Sequence, residues 1–316
     1  MRFTTIAEEL AVTKFKKGIE REMEGYFESK GYGLIEPRMF QKYDEYVRSN
    51  FRQDPSKTVK VLSGDSRIYI LRPDITMSIL GEIFSKWDGE PPLKVYYNSK
   101  IYENKPGGKI LESYQMGVES LGDDILTADR EMVEMAATLM AGLKAPFILE
   151  LGSSKYLDGC FRELALAPAV ETELRDLINK KNRTSLRIKL TSLRLQGTIL
   201  DTILDMQGDM DHVIQMANAN PMNPEMQQAI GELEQLKDFF TAHYGGSEIK
   251  FDLSMLPDLD YYDGIVFKGY CLGTPSKILS GGRYDKLTQS FGPRVPAIGF
   301  MIDMDLVTRI RIKGEK

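Results

Sequence analysis

Hydrophobic and polar positions alternate with two different periods along this chain, and the changes of period mark its elements. Phe15, Ile19, Met23, Tyr26 and Phe27 fall on one helical face, and Gly31 is placed to cap the C-terminus of that helix. Gly18 and Gly25 lie inside it and each cost about 1 kcal/mol relative to Ala, so tertiary packing has to hold it. A short extended run follows and ends at Pro37. Lys60-Val61-Leu62 and Ile68-Tyr69-Ile70-Leu71 read as a strand pair around Ser63-Gly64-Asp65. Lys94 to Gly122 reads as a long hairpin. Val95-Tyr96-Tyr97 is β-prone, Asn104 to Gly108 is a turn cluster, and Tyr114 to Leu121 alternates polar and apolar side chains. One face of the return strand carries Gln115 and Glu119; on periodicity alone these point either into a site or at water.

Farther along, Met132, Met135, Ala136, Leu139, Met140 and Leu143 form one helical face, with the methionines as core filler. Phe147 to Leu151 is a β run. From about residue 155 to 246 the chain turns helical and polar, with Asn223-Pro224 as a helix start. The basic residues Lys180, Lys181, Arg183, Arg187, Lys189 and Arg194 suit a solvated face or a nucleic-acid contact, and the lack of interleaved aromatics favours the first. Ile249, Phe251, Leu253 and Met255 alternate as a strand, and Asp263-Gly264 reads by default as a hairpin turn.

Five constellations carry chemistry: Leu71-Arg72-Pro73-Asp74-Ile75-Thr76; Glu103, Gly108, Gln115, Gly117 and Glu119 of the hairpin; Leu259-Asp260-Tyr261-Tyr262 with Val266-Phe267; Gly281-Gly282-Arg283-Tyr284-Asp285; and Gly299-Phe300. In this order they resemble the core of class II aminoacyl-tRNA synthetases, in its histidyl branch. The helix and strand leading to Pro37 resemble motif 1, the dimer interface of those enzymes. The resemblance implies an α+β fold, a class II synthetase-like antiparallel sheet flanked by helices. It implies one core domain over 1–316 with a helical insertion at about 155–246, and no C-terminal anticodon-binding domain. It also implies a histidine pocket, with Asp74, Thr76 and Gln115 at the ammonium, Glu119 and Tyr261 at the imidazole, Tyr262 beside them, and Arg283 as the candidate for the carboxylate. Read without the resemblance, Asp74 and Thr76 are equally a helix cap.

The departures from the pattern are systematic. The phosphate-clamping arginine of the family falls on Ile101 or Tyr102, its substrate-carboxylate arginine on Pro257, and its ATP-stacking arginine on Leu306. Ile75 replaces a glycine and narrows the implied pocket, Tyr114 replaces a histidine, and Asp303 replaces a glycine of motif 3. A scaffold of this kind without those arginines is similar to the regulatory subunits of ATP phosphoribosyltransferase. That implies a non-catalytic subunit, required for the first step of histidine biosynthesis and for its feedback inhibition. The implied partners are a short-form catalytic subunit, histidine as effector and a second copy through motif 1, with no tRNA. Two other readings stay open. One is an amino-acid-activating enzyme without a tRNA-binding domain, with Lys100, Lys105 or Lys109 standing in for the lost arginine. The other is a free-standing sensor of histidine or of a tRNA-like ligand.

Composition narrows the picture further. The chain has 316 residues, 42% hydrophobic and 28% charged, enough to bury a sizeable core. A net charge of −5 gives no global field for nucleic acid. Cys160 and Cys271 form neither a disulfide framework nor a zinc spacing, and His212 and His243 have no ligand pattern around them, so neither metal nor cofactor is expected. No apolar run approaches the roughly 18 residues of a membrane span, and a cytoplasmic location is expected.

Overall fold

The computed structural model describes residues 5–49, 55–87, 90–244, 248–257, 259–274 and 276–314. In chain order the elements are α1 (Ile6–Ser29), β1 (Gly33–Leu34), β2 (Phe40–Lys42), α2 (Tyr43–Ser49), β3 (Val59–Leu62), β4 (Ile68–Leu71), α3 (Ile75–Ile83), β5 (Leu93–Lys105), β6 (Lys109–Leu121) and α4 (Ile125–Ala141). There follow β7 (Phe147–Ser153), α5 (Ser154–Leu164), α6 (Pro168–Asn179), α7 (Arg183–Ser192), β8 (Gln207–Gly208), α8 (Met210–Asn218), α9 (Pro224–Tyr244), β9 (Ile249–Asp252), β10 (Ile265–Cys271), β11 (Leu279–Arg283), α10 (Asp285–Thr288), β12 (Ala297–Asp303) and α11 (Met304–Gly314). The chain divides into two compact units, one of residues 1–123, 138–145 and 287–316, the other of residues 124–137 and 146–286.

In the first unit, local signals set the limits of α1. Thr5 and Glu8 form a reciprocal capping box at its start. At its end Gly31, at φ +84°, donates to the Glu28 carbonyl and Tyr32 donates to that of Phe27, a Schellman motif. The expected strand after it is only two residues long, because its path runs on to Pro37, which has no N–H to continue a ladder. The strands β1, β5, β6 and β12 lie side by side in that order, and β2, β4 and β3 form a separate three-stranded sheet. The hairpin of β5 and β6 turns at 106–108, with Gly107 and Gly108 both at positive φ.

Strand alternation divides this sheet into two faces. Gln115 lies opposite Ser99 on one side and Asp303 on the other; Gly117 opposite Tyr97 and Met301; Glu119 opposite Val95 and Gly299. These side chains share the front face. Tyr96 and Phe300 occupy the back face, where the Phe27 ring packs at 5.6 and 6.5 Å from theirs. Three acids of α1, spaced four residues apart, meet polar groups of the hairpin there. Glu28 accepts from the Tyr96 hydroxyl (2.9 Å), Glu24 accepts from Asn98 Nδ2 (2.9 Å), and the charge of Glu20 acts on the Tyr114 hydroxyl.

The second unit contains the expected helical insertion together with five strands in the order β11, β10, β7, β9, β8. Leu149, Leu151, Phe251 and Phe267 of these strands are fully buried, as are Leu233, Leu236 and Phe240 of α9. Pro224 opens α9 and Asn223 Oδ1 accepts from Met226 N at 3.0 Å, as the Asn-Pro pair predicts. The expected boundary of the insertion near 246 and the His243 side chain lie outside the described residues. Asp263-Gly264 is not a two-residue hairpin turn: β9 ends at Asp252, and Asp263 accepts instead from the N–H groups of Asp285 and Lys286. Both units are mainly antiparallel, with parallel pairs only at β1–β5 and β7–β9 among the described strands.

Candidate functional site

The front face of the first unit gathers Thr76, Gln115 and Glu119. Glu119 is 1% exposed and accepts a hydrogen bond from Thr76 Oγ1 at 2.7 Å. Gln115 is 9% exposed. For Glu119 the alternative in which the hairpin's polar groups point at water therefore does not hold. Two glycines make room for this arrangement. A Cβ at position 299 would fall within the Glu119 carboxylate, and one at 117 would collide with the Tyr97 hydroxyl and the Phe300 carbonyl. Gly117 and Gly299 thus let polar side chains lie flat on the strands.

Asp74 is the N-cap of α3, its Oδ1 accepting from Met77 N at 2.8 Å. The cap reading of Asp74 is present, and Thr76 two residues on is the one that reaches Glu119. Ile75, in the place of the family glycine, is 2% exposed and belongs to the core. Arg72 is 5% exposed and donates to the carbonyls of Lys100 (2.7 Å) and Pro37, while burial holds its guanidinium below its ordinary pKa. Asp303 accepts from Asp305 N and Leu306 N, both at 2.9 Å, so it caps α11; burial raises its carboxyl pKa.

Tyr261, Tyr262 and Arg283 lie in the second unit. Tyr261 and Tyr262 pack with Tyr284, with ring centroids 5.0, 5.9 and 6.5 Å apart. Gly282 leaves space for the Tyr262 ring. Arg283, expected to receive a ligand carboxylate, is engaged internally. Its Nη2 and Nε donate to Asp129 Oδ1 at 2.6 and 3.0 Å, Nη1 to Asp285 Oδ1 at 2.9 Å and Nη2 to the Ile125 carbonyl at 3.0 Å. The guanidinium is 3% exposed. Burial outweighs the charge of Arg283 on its partner and pushes the Asp129 carboxyl up to about 6. This cluster escaped the sequence reading because Asp129 and Arg283 are 154 residues apart.

Among the described residues, two of the three lysines weighed as substitutes for the lost arginines are paired with acids. Ile101 and Tyr102 face Ser113 and Glu112 across the hairpin, and Leu306 lies in the first turn of α11. Lys100 and Lys105 are paired with Glu112 and Glu103, each at 2.6 Å. The basic run near 180–194 is largely neutralised in the same way, through Lys180–Asp176, Lys181–Asp252, Arg183–Asp205 and Lys189–Glu173. Among the described residues no group of three or more His, Cys, Asp or Glu could hold a metal ion, and no described helix is long and apolar enough to cross a membrane. An apolar hollow of about 250 Å³ in the first unit lies against α1, between Met23, Leu139 and Ile302, away from Gln115.

The histidyl-tRNA synthetase family model matches residues 10–307. An ATP phosphoribosyltransferase regulatory subunit from Clostridium novyi (strain NT) is 33% identical over 312 residues, 93% of this chain and 72% of that protein. One from Bacillus cereus (strain B4264) is 29% identical over 300 residues, 92% of this chain and 71% of that protein. A crystal structure of an ATP phosphoribosyltransferase regulatory subunit/histidyl-tRNA synthetase from Bacillus halodurans C superposes with a TM-score of 0.85 at 26% identity, covering 98% of this chain and 81% of that one. The ATP phosphoribosyl transferase (HisG:HisZ) complex from Thermotoga maritima shares the fold, with a TM-score of 0.70 at 16% identity over 90% of this chain and 96% of that one. The retained front-face motifs, the missing arginines and these likenesses agree: the chain belongs to the ATP phosphoribosyltransferase regulatory subunits, within the histidyl-tRNA synthetase family.

Proposed function

We propose that this chain binds a short-form catalytic subunit of ATP phosphoribosyltransferase, supports its turnover in the first step of histidine biosynthesis, and makes that turnover sensitive to histidine. The chain itself is not catalytic. The observation that carries this reading is the division within one scaffold. The wall suited to an amino group is built and buried, with Thr76 on Glu119 and Gln115 beside them. The positions that activation chemistry needs hold Ile101, Tyr102, Pro257 and Leu306. Phosphoryl-centred steps depend on placed positive charge, and one lost electrostatic contact typically lowers a rate by about 10²–10³. The enzyme reading loses support because Lys100 and Lys105, two of its three candidate cations, are held by Glu112 and Glu103.

Histidine as the effector rests on Asp74, Thr76, Gln115 and Glu119 of the first unit. The test is reconstitution. Added to a short-form catalytic subunit, the chain should raise transferase turnover and bring inhibition by histidine, while histidine-dependent exchange of pyrophosphate into ATP stays at background. Robust exchange by the chain alone, or no effect on the transferase, would overturn the reading.

A further inference from the structure

The apolar hollow behind the sheet of the first unit belongs to neither the front face nor the sequence motifs. It lies between α1, the end of α4, β12 and α11, and is lined by Ile19, Met23, Leu139, Leu143, Ile302 and Val307. By strand alternation Ile302 shares the back face with Phe300, opposite to Glu119 and Gly299. Protein interiors pack as closely as organic crystals and keep few voids larger than a water molecule, so a hollow of about 250 Å³ among such side chains is a departure that a ligand can use. An apolar cavity of about 150 Å³ already takes up benzene, so there is room here for an apolar body of about eight carbons.

One edge of the hollow is charged. Arg311 of α11 and Glu22 of α1 both line it, and Arg311 Nη1 donates to Glu22 Oε2 at 2.8 Å. The Arg311 side chain is 19% exposed and that of Glu22 60%. The acid is therefore the solvent-side partner, and an ion pair with one member so exposed is weak and readily exchanged. Nε and Nη2 of Arg311 have no acceptor among the described residues, and neither is sealed from solvent. A guanidinium fork matches a carboxylate through two parallel N–H···O bonds.

We propose that this hollow binds a small apolar monocarboxylate, with its hydrocarbon body against Leu139 and Ile302 and its carboxylate on Arg311 in place of Glu22. The site is separate from the front face, and the inference does not depend on the subunit reading.

The experiment is calorimetric titration of the full chain with octanoate, with octanamide and acetate as controls. Octanamide keeps the body without the charge, and acetate keeps the charge without the body. Octanoate should bind saturably and about tenfold or more tighter than either control. Glu22→Gln leaves the guanidinium to the ligand and should tighten octanoate by about threefold or more, with octanamide unchanged. Arg311→Gln should reduce octanoate to the level of octanamide. Leu139→Trp, which fills the hollow, should abolish binding of both in a chain whose circular dichroism matches the wild type. No binding of octanoate by the wild type, equal affinity for octanoate and octanamide, or an octanoate affinity that neither Glu22→Gln nor Arg311→Gln changes would overturn the inference. So would a folded Leu139→Trp chain that binds octanoate as the wild type does. Glu22 lies at the surface, so its variant decides the matter even where Leu139→Trp fails to fold.

Discussion

Arg283 and Asp129 hold the second unit's β11 to the start of α4 through a buried, doubly bonded ion pair, with Asp285 as a second acid on the same guanidinium. Asp129 is 4% exposed, and its folded pKa of about 6 lies above the ordinary 3.8. Between those values the folded chain holds a proton that the unfolded chain has released, so stability from this group is present at low pH and is lost as pH rises through about 6. Asp129→Asn removes the titration. The margin by which the wild type exceeds this variant in urea denaturation should therefore narrow as pH rises from about 4 to about 6; a margin that widens would show that the charge of Arg283 dominates burial. The local motif Gly281-Gly282-Arg283-Tyr284-Asp285 was legible in the sequence, and so was the need for small residues there. The partner of Arg283 was not, because nothing in a linear pattern reports which distant acid shares its burial. The same holds at Glu119: its strand face follows from alternation, but its bond to Thr76 follows from how α3 lies on the sheet.

At the scale of elements, α1 and the β5–β6 hairpin show how far periodicity reaches. Ile19, Met23 and Phe27 were readable as an apolar face and are all buried. Glu20, Glu24 and Glu28 lie beside that face at the spacing of an ordinary solvated stripe. In the structure they meet Tyr114, Asn98 and Tyr96 of the hairpin, and Glu20 is 2% exposed. A stripe of acids has the same sequence signature whether water or a second element receives it, so only the structure distinguishes the two. Burial, and then the charge of Glu20, raise the Tyr114 pKa, and Lys16 lies 4.0 Å from the centre of that ring. Tyr114 stands where the family has histidine, and its hydroxyl is what the buried acid of α1 meets. Tyr114→Phe should therefore lower stability by about 0.5–1.5 kcal/mol, the range for losing one polar interaction. Urea denaturation of variant and wild type measures this, and a change under about 0.5 kcal/mol would mean that Lys17, which is bonded to Glu20 Oε2, satisfies the carboxylate alone.

At the scale of the whole molecule, the motif 1 region leaves apolar side chains uncovered. Leu34 on β1 is 55% exposed, and Met39 and Phe40 beside Pro37 are 43% and 51% exposed. β1 is the outermost strand of its sheet, and β2 is an edge strand of the three-stranded one. Edge strands carrying apolar side chains invite pairing with another chain, and natural proteins either blunt such edges or use them. Here no Lys or Arg lies on β1, and Phe40 opens β2. The sequence placed Met39 and Phe40 at an interface only through the resemblance to motif 1, since a short run before and after a proline has no period of its own. Closed twofold dimers are the commonest way for one surface to cover itself, because each copy brings the same patch. The chain is expected to be a dimer at micromolar concentration, with Phe40 near the centre of the contact. Aromatic anchors at such centres typically carry 2 kcal/mol or more, so Phe40→Asp should raise the dimer Kd by about 30-fold or more. Leu272→Asp serves as the control, since Leu272 is 82% exposed in the other unit and its replacement should leave the mass unchanged. Sedimentation equilibrium reads both. A wild type that is monomeric at micromolar concentration, or a Phe40→Asp variant that stays as dimeric as the wild type, would place self-association away from this patch.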